Sequence, residues 1–389
     1  MPQKNFFWDR NFQLVQAVTL MAVLGVSSIS PAFPRIIEAL NISETEVGML
    51  IVAFTIPGVF LTPFIGVLAD RFGRKRILVP SLLLFGLAGG ACGLVNEFDI
   101  LIALRVLQGV GAASLSTLNL TVLGDLYHGE RRAAAIGLNA SVVNVAVAAY
   151  PLLGGALATF AWNYPFFLPL VAIPIGLIVL FGLNNPEPRS RESLRQYLGS
   201  ALGYLRNIKV ISACIASVIV FVVVYGPYQT YLSLYLADSF KASPFLIGVI
   251  LSTSAVTSAL VSSQLGKIVK LIALPDLIRL GFVLQAASMA LLPFLPRVEL
   301  MLISTFILGL GMGVLLPGLV TYIAGVAPLE YRAAVMSINS TMLRLGQTLG
   351  PLIFGLVYIY SDFEGVFLYG AGLALLTGVV GFVGGKIIR

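Results

Sequence analysis

Twelve runs of about twenty apolar residues follow one another along this chain, near 12–33, 45–67, 76–95, 99–122, 133–157, 163–183, 208–235, 244–265, 275–295, 298–325, 332–358 and 364–386. A run of that length is what a helix needs to cross a hydrocarbon core of roughly 30 Å. The expected fold is therefore an all-α membrane protein with twelve transmembrane helices, numbered here as spans 1–12. Composition agrees, because only 11% of residues are charged and the mean hydropathy is +0.97, against about 25% charged in a soluble domain. The first run, from about Phe12, is too long for the apolar core of a signal peptide and is followed by further spans.

The net charge of +7 raises the question of nucleic acid, and the distribution of the charge answers it. Arg71, Arg74, Lys75 and Arg76 fall between spans 2 and 3, and Arg189, Arg191 and Arg195 between spans 6 and 7. Arg35, Lys241 and Arg297 fall at the opposite ends, while Arg105 and Arg344 fall inside spans. Basic residues concentrated on one side follow the positive-inside rule. They place both termini in the cytoplasm of a cell-membrane protein and put positive charge beside anionic lipid, not nucleic acid. Cys92, Cys214 and His128 form no spaced set, so no disulfide framework, metal site or cofactor is expected.

The two halves align at an offset of 200 residues. Arg132, Ala133, Ala134, Asn139, Pro151, Leu152 and Gly155 recur as Arg332, Ala333, Ala334, Asn339, Pro351, Leu352 and Gly355. Gly48, Gly66, Gly109 and Gly111 recur as Gly248, Gly266, Gly309 and Gly311. Two six-span units with the same direction are a parallel repeat about an axis along the membrane normal, with a substrate site near the midplane. The expected division is 1–183 for the N-terminal bundle, 184–207 for a cytoplasmic linker and 208–389 for the C-terminal bundle. Within the linker, Leu194, Tyr197, Leu198, Ala201 and Leu205 are spaced as in an amphipathic surface helix. The plainer alternative is a tether.

The loop after span 2 reads GVLADRFGRKR, Gly66 to Arg76. Span 4 reads LIALRVLQGVGAA, with Arg105, Gln108, Gly109 and Gly111. Together with twelve spans and a two-fold repeat, these motifs resemble the major facilitator superfamily, nearest its twelve-span drug/proton antiporters. Span 5 is similar to that branch's glycine-proline motif at Gly137, Pro151, Gly154 and Gly155, with Ala146 and Tyr150 in place of two glycines. The resemblance implies two pseudo-symmetric six-helix bundles and alternating access. It also implies a conformational latch of Gly66, Asp70, Arg71, Gly73, Arg74 and Asp125, in which Arg74 pairs with Asp125. From residue chemistry, Asp70 at a helix end is suited to accept the first amides of span 11. The alternative reading is a solvated charge run.

Arg344 stands about twelve residues, roughly 18 Å, into span 11, where a charge is costly unless it faces protein or water. Ser337, Ser340, Thr341, Gln347 and Thr348 share its face, and the repeat maps it onto Asn144 of span 5. All seventeen carboxylates fall in loops or at span ends, so an anion, or an amphiphile with an anionic head, is the natural counter-charge. Candidate substrate contacts are Arg344, Asn144, Asn339, Gln347, Tyr225, Tyr228, Tyr150 and Arg105. A structural role for both arginines, bonded to helix carbonyls and neutral side chains, is the competing reading. Span 1 carries no carboxylate, a departure from many drug/proton antiporters that leaves proton coupling without that carrier.

No Walker loop, soluble nucleotide domain or clustered catalytic set is present in the sequence. The expected function is a monomeric secondary transporter exporting an amphipathic or lipophilic small molecule, anionic at one end, with protons as the coupling ion of its branch. The alternative is an organic-anion uniporter, importer or exchanger centred on Arg344. A membrane enzyme or a receptor is the reading from a different class.

Overall fold

A computed structural model describes residues 9–185, 208–326 and 332–383. Among them, eleven helical stretches are long and apolar enough to cross a membrane. They are Arg10–Leu40, Glu44–Gly66, Arg74–Cys92, Phe98–Leu126, Gly129–Phe160, Tyr164–Gly182, Ile208–Phe240, Pro244–Ile268, Leu274–Phe294, Val298–Val326 and Val335–Val380. The last belongs to a 52-residue helix, Arg332–Val383, about 78 Å at 1.5 Å per residue and too long for one crossing. Asp362, at φ 56° and ψ −167°, breaks it into spans 11 and 12. The Phe363 amide donates to the Asp362 side chain across that break at 2.8 Å. The twelve expected spans are present, all helical, and no strand occurs among the described residues.

Local sequence sets the ends of these helices. Asp9 accepts from the amides of Asn11 and Phe12 to cap span 1. Ser43 and Glu46 form a capping box at the start of span 2, satisfying two donors that would otherwise be orphaned. Gly73, at φ 98°, turns the chain from span 2 into span 3 through a conformation that a side chain would strain.

The 200-residue repeat is visible in the backbone. Asn41 and Lys241 both stop a helix at φ 51°, and Ser43 and Ser243 both cap the next one. Gly109 lies against the carbonyl of Phe54, and Gly309 against that of Ser254. A Cβ on Gly111 would stand 2.7 Å from the Phe85 amide, and one on Gly311 would stand 3.3 Å from that of Gln285. Each pair is one contact made twice, between spans 2 and 4 or 3 and 4 in one half and between spans 8 and 10 or 9 and 10 in the other. Small residues permit this approach where lipid supplies no hydrophobic drive between helices.

The halves meet reciprocally. Gly48 of span 2 lies on Pro351 of span 11, and Gly248 of span 8 lies on Pro151 of span 5. These contacts gather at the end opposite the Gly66–Arg76 loop, where Gly154 abuts Ser28 and Gly155 abuts Pro244. At the basic end the picture reverses. Side chains added at Gly66, Gly137 and Gly266 would meet nothing within 4 Å among the described residues. The bundles are closed at one end and parted at the basic end. The expected amphipathic linker helix lies outside the described residues; at the start of the linker, Asn184 exchanges two hydrogen bonds with Asn11.

Candidate functional site

A cavity of about 1310 Å³ occupies the seam between the bundles. It runs from Phe54 and Gln229 at the closed end to Gly66, Asp70 and Arg71 at the basic end. Much of the wall is apolar, including Val23, Phe221, Leu251, Leu308 and Met312. Of the residues expected to contact substrate, Arg344, Asn144, Gln347, Tyr225 and Tyr228 line it. Asn144 is on span 5 and Arg344 on span 11, so the repeat does set them on different walls of one chamber.

Arg344 reaches across the seam. Its Nη2 donates to Ser116 Oγ on span 4 at 2.5 Å. A Cβ on Gly58 of span 2 would lie 2.6 Å from Nη1 and 2.7 Å from Cδ, so the guanidinium rests on a seat that only glycine leaves open. Its remaining N–H groups have no protein acceptor among the described residues. Gln347 Nε2 donates to the Tyr225 hydroxyl at 3.2 Å, and the Tyr225 ring stacks on Phe221 at 5.6 Å. Tyr228 hydrogen-bonds with the Leu251 carbonyl and with Ser254 Oγ, each at 2.5 Å. Beside Phe54 near the closed end, the Thr55 and Thr348 hydroxyls pair across the halves at 2.8 Å.

Three expected contacts are not in the chamber. Arg105 is 1% exposed and is spent inside the N-terminal bundle. Its Nε donates to Leu50 O at 3.1 Å, Nη2 to Gly25 O at 2.9 Å and Nη1 to Gln108 Oε1 at 2.6 Å. It also lies over the Phe54 ring, 4.4 Å from its centroid. These bonds tie spans 1, 2 and 4, which is the structural alternative for this residue. Asn339 is buried outside the lining. Tyr150 points into the N-terminal bundle, and its hydroxyl donates to Leu20 O at 2.9 Å. Sequence reasoning in turn missed Gly58, Ser116 and the Thr55–Thr348 pair. Ser116 shares a helical face with Ala112 and Leu120, and all three line the cavity; that spacing was the available signal.

At the basic end Arg74, 6% exposed, forms ion pairs with Asp125 and with Asp70, the latter at 3.2 Å. It also donates to Thr121 O at 3.0 Å. Among the described residues Asp70 bonds Arg74, and no hydrogen bond joins it to span 11. Nearby, the Tyr127 hydroxyl donates to Asp9 Oδ2 at 2.7 Å. Burial, with the Asp9 hydrogen bond and charge behind it, pushes that phenol above its usual range. Asp70→Asn leaves Arg74 paired with Asp125, so stability should change by less than about 1 kcal/mol. Transport should fall, because the carboxylate offered to span 11 on closure is gone. Proteoliposome flux and thermal unfolding measured on the same preparation check this, and undiminished flux removes the latch role.

Comparison with known proteins follows the same lines. The family model described as Major Facilitator Superfamily matches residues 17–272 and 213–385. Multidrug resistance protein 2 of Bacillus subtilis (strain 168) is 27% identical over 379 residues, 95% of this chain and 93% of that protein. The quinolone resistance protein NorA of Staphylococcus aureus is 24% identical over 336 residues, 86% of each. The bacillibactin exporter of Bacillus subtilis (strain 168) is 32% identical over 164 residues, 40% of this chain and 41% of that protein. Among solved structures, the nucleoside transporter NupG superposes with a TM-score of 0.80 at 14% identity, covering 97% of this chain and 99% of that one. The human organic anion transporter MFSD10 does so at 0.73 and 16%, covering 97% and 100%. With its twelve helices, its repeat and a family match over most of its length, the chain belongs to the Major Facilitator Superfamily.

Proposed function

We propose that this transporter exports amphipathic small molecules by alternating access, holding an anionic group of the substrate at Arg344. The observation that carries the proposal is a guanidinium deep in a largely apolar chamber, with N–H groups left over and, among the described residues, no carboxylate at its depth. Asp70, the acid in the lining, stands at the mouth and is engaged by Arg74. A buried cation without a counter-charge is costly, and a carboxylate or sulfonate head would offset that cost in the bidentate geometry that guanidinium favours. The apolar remainder of the wall suits the tail. The positive-inside pattern supports a cytoplasmic open end with both termini on that side, and the proposal takes the protein to act as a monomer. Relatives that are named as resistance proteins and as an exporter support the outward direction.

The missing deep acid favours a second reading, an exchanger of organic anions without protons. Counterflow in proteoliposomes separates the two. Under the exporter reading, an imposed pH gradient drives accumulation of an anionic amphiphile, and a matched cation accumulates far less. If only substrate on the far side accelerates flux and the gradient does nothing, exchange is the mechanism. Equal handling of anion and cation overturns both.

A further inference from the structure

Span 7 leaves α-helical geometry at Val224–Tyr231, a π-helical segment that contains Gly226 and Pro227. π-turns inside α-helices are rare and collect at functional positions. Here the distortion is supported from two sides. Thr230 Oγ1 donates to Tyr225 O at 2.7 Å, and Gly226 lets the segment press on span 11, where a Cβ would stand 2.8 Å from Gly350 O. The widened turn brings Tyr225, Tyr228 and Gln229 into the cavity wall.

Gln229 differs from its neighbours. It is the outermost lining residue of span 7 and is 8% exposed. Its Oε1 is buried without a hydrogen-bond partner, and among the described residues nothing bonds either end of the carboxamide. Tyr228 beside it is already satisfied by Leu251 and Ser254. The repeat makes the contrast plain, because the position equivalent to Gln229 in the first half is Ile29, an apolar residue buried to 2%. An unpaired buried carboxamide costs stability that an isoleucine would not. Something other than packing accounts for it.

Its place suggests what. Moving from Arg344 toward the closed end, Gln347 comes one turn later and holds Tyr225, and Gln229 follows Tyr225 by a further turn. The two steps sum to about 10 Å along the helix axes. The polar groups on this line all belong to the C-terminal bundle. The facing lining from spans 1 and 2 at this depth is Ala22, Val23, Val26 and Phe54, with Ser27 as the one hydroxyl. Resting on the reading of Arg344 as the anion's seat, the geometry points to Gln229 as a second polar subsite. The transported class is then an amphipathic anion that carries a hydroxyl or amide about 10 Å from its charge. A carboxamide donates and accepts, which suits a neutral polar group and not a second ion. A substrate without that group strands the carboxamide again, and this is the source of selectivity.

The test is a cycle of two ligands against two residues, in nanodiscs of the full chain. The probes are decanoate and ω-hydroxydecanoate, bound to the wild type, to Gln229→Ile and to Arg344→Gln. After correction for membrane partition, the wild type should favour the hydroxylated probe by about tenfold, the worth of one well-formed hydrogen bond. In Gln229→Ile that ratio should fall to one, and the ligand-free protein should melt at a higher temperature, because the stranded polar group is gone. Gln229→Met, of similar length, is the second variant and should give the same loss of preference. In Arg344→Gln both probes should weaken together with their ratio kept. A preference that survives Gln229→Ile, a wild type with none, or a lowered melting temperature in both variants overturns the subsite. Undiminished binding of both probes to Arg344→Gln instead overturns the anion seat and leaves the Gln229 result to stand or fall by its own ratio.

Discussion

Arg344→Gln should weaken binding of an anionic amphiphile about 100-fold, the scale of removing one partner from a desolvated charge pair. A matched cationic amphiphile should bind as well as before, or better. The glutamine retains a donor for Ser116, so loss of the inter-bundle bond alone cannot produce that reversal. Arg344→Lys keeps the charge and loses the planar fork, and about a tenfold loss for the anion is expected. Gly58→Ala reaches the same site from the other bundle. Its new methyl would collide with the guanidinium at 2.6–3.0 Å, and the long side chain can yield where backbone could not. The protein should therefore fold normally while anion affinity drops, and Ser116→Ala should have a smaller effect than either. Titration of paired anionic and cationic probes into each variant measures all of this. If Ser116→Ala reproduces Arg344→Gln and both probes fall equally, Arg344 is only a bolt between bundles.

Arg105→Ala should have its large effect on stability instead, about 3–5 kcal/mol. The substitution empties the space over the Phe54 ring, strips Gln108 of its partner and unties Leu50 and Gly25 from span 4. Thermal unfolding of purified protein should show the loss, and whatever folded protein remains should keep the wild-type preference among substrates. A changed preference at unchanged melting temperature would return Arg105 to the binding site.

These two arginines show how far the sequence could be read. Both were recognisable as charges in apolar surroundings, because depth along a span is simply residue count times helical rise. Their fates depended on rotation and on neighbours. Arg105 is satisfied largely by backbone carbonyls, which every residue possesses and no motif announces. Arg344 is held by Gly58 and Ser116, residues of the other half whose approach is set by how the bundles dock. The repeat was legible because it constrains both halves alike, as the matched contacts of Gly109 and Gly309 show. Tyr150 misled because a bulky residue at a small-residue position says that space exists nearby and not on which side. Asn339 misled because it borders the lining face: Leu343, one turn on, lines the cavity while Asn339 is buried beside it.

The bundles close by unlike means at their two ends. Opposite the basic loop, the contacts between bundles are neutral: glycines pressed onto Pro351, Pro244 and Pro151, and a pair of threonine hydroxyls. At the basic end, the latch proposed for closure is charged: Asp70, with Arg74 and Asp125 behind it in the same bundle. Coulombic attraction between partly exposed groups is screened by salt within about 10 Å at 0.1 M, whereas close van der Waals contact is not. Salt is therefore expected to weaken closure through that latch more than the packed contacts at the other end. On the proposed latch, the dwell time in each orientation should respond to the medium facing the basic loop.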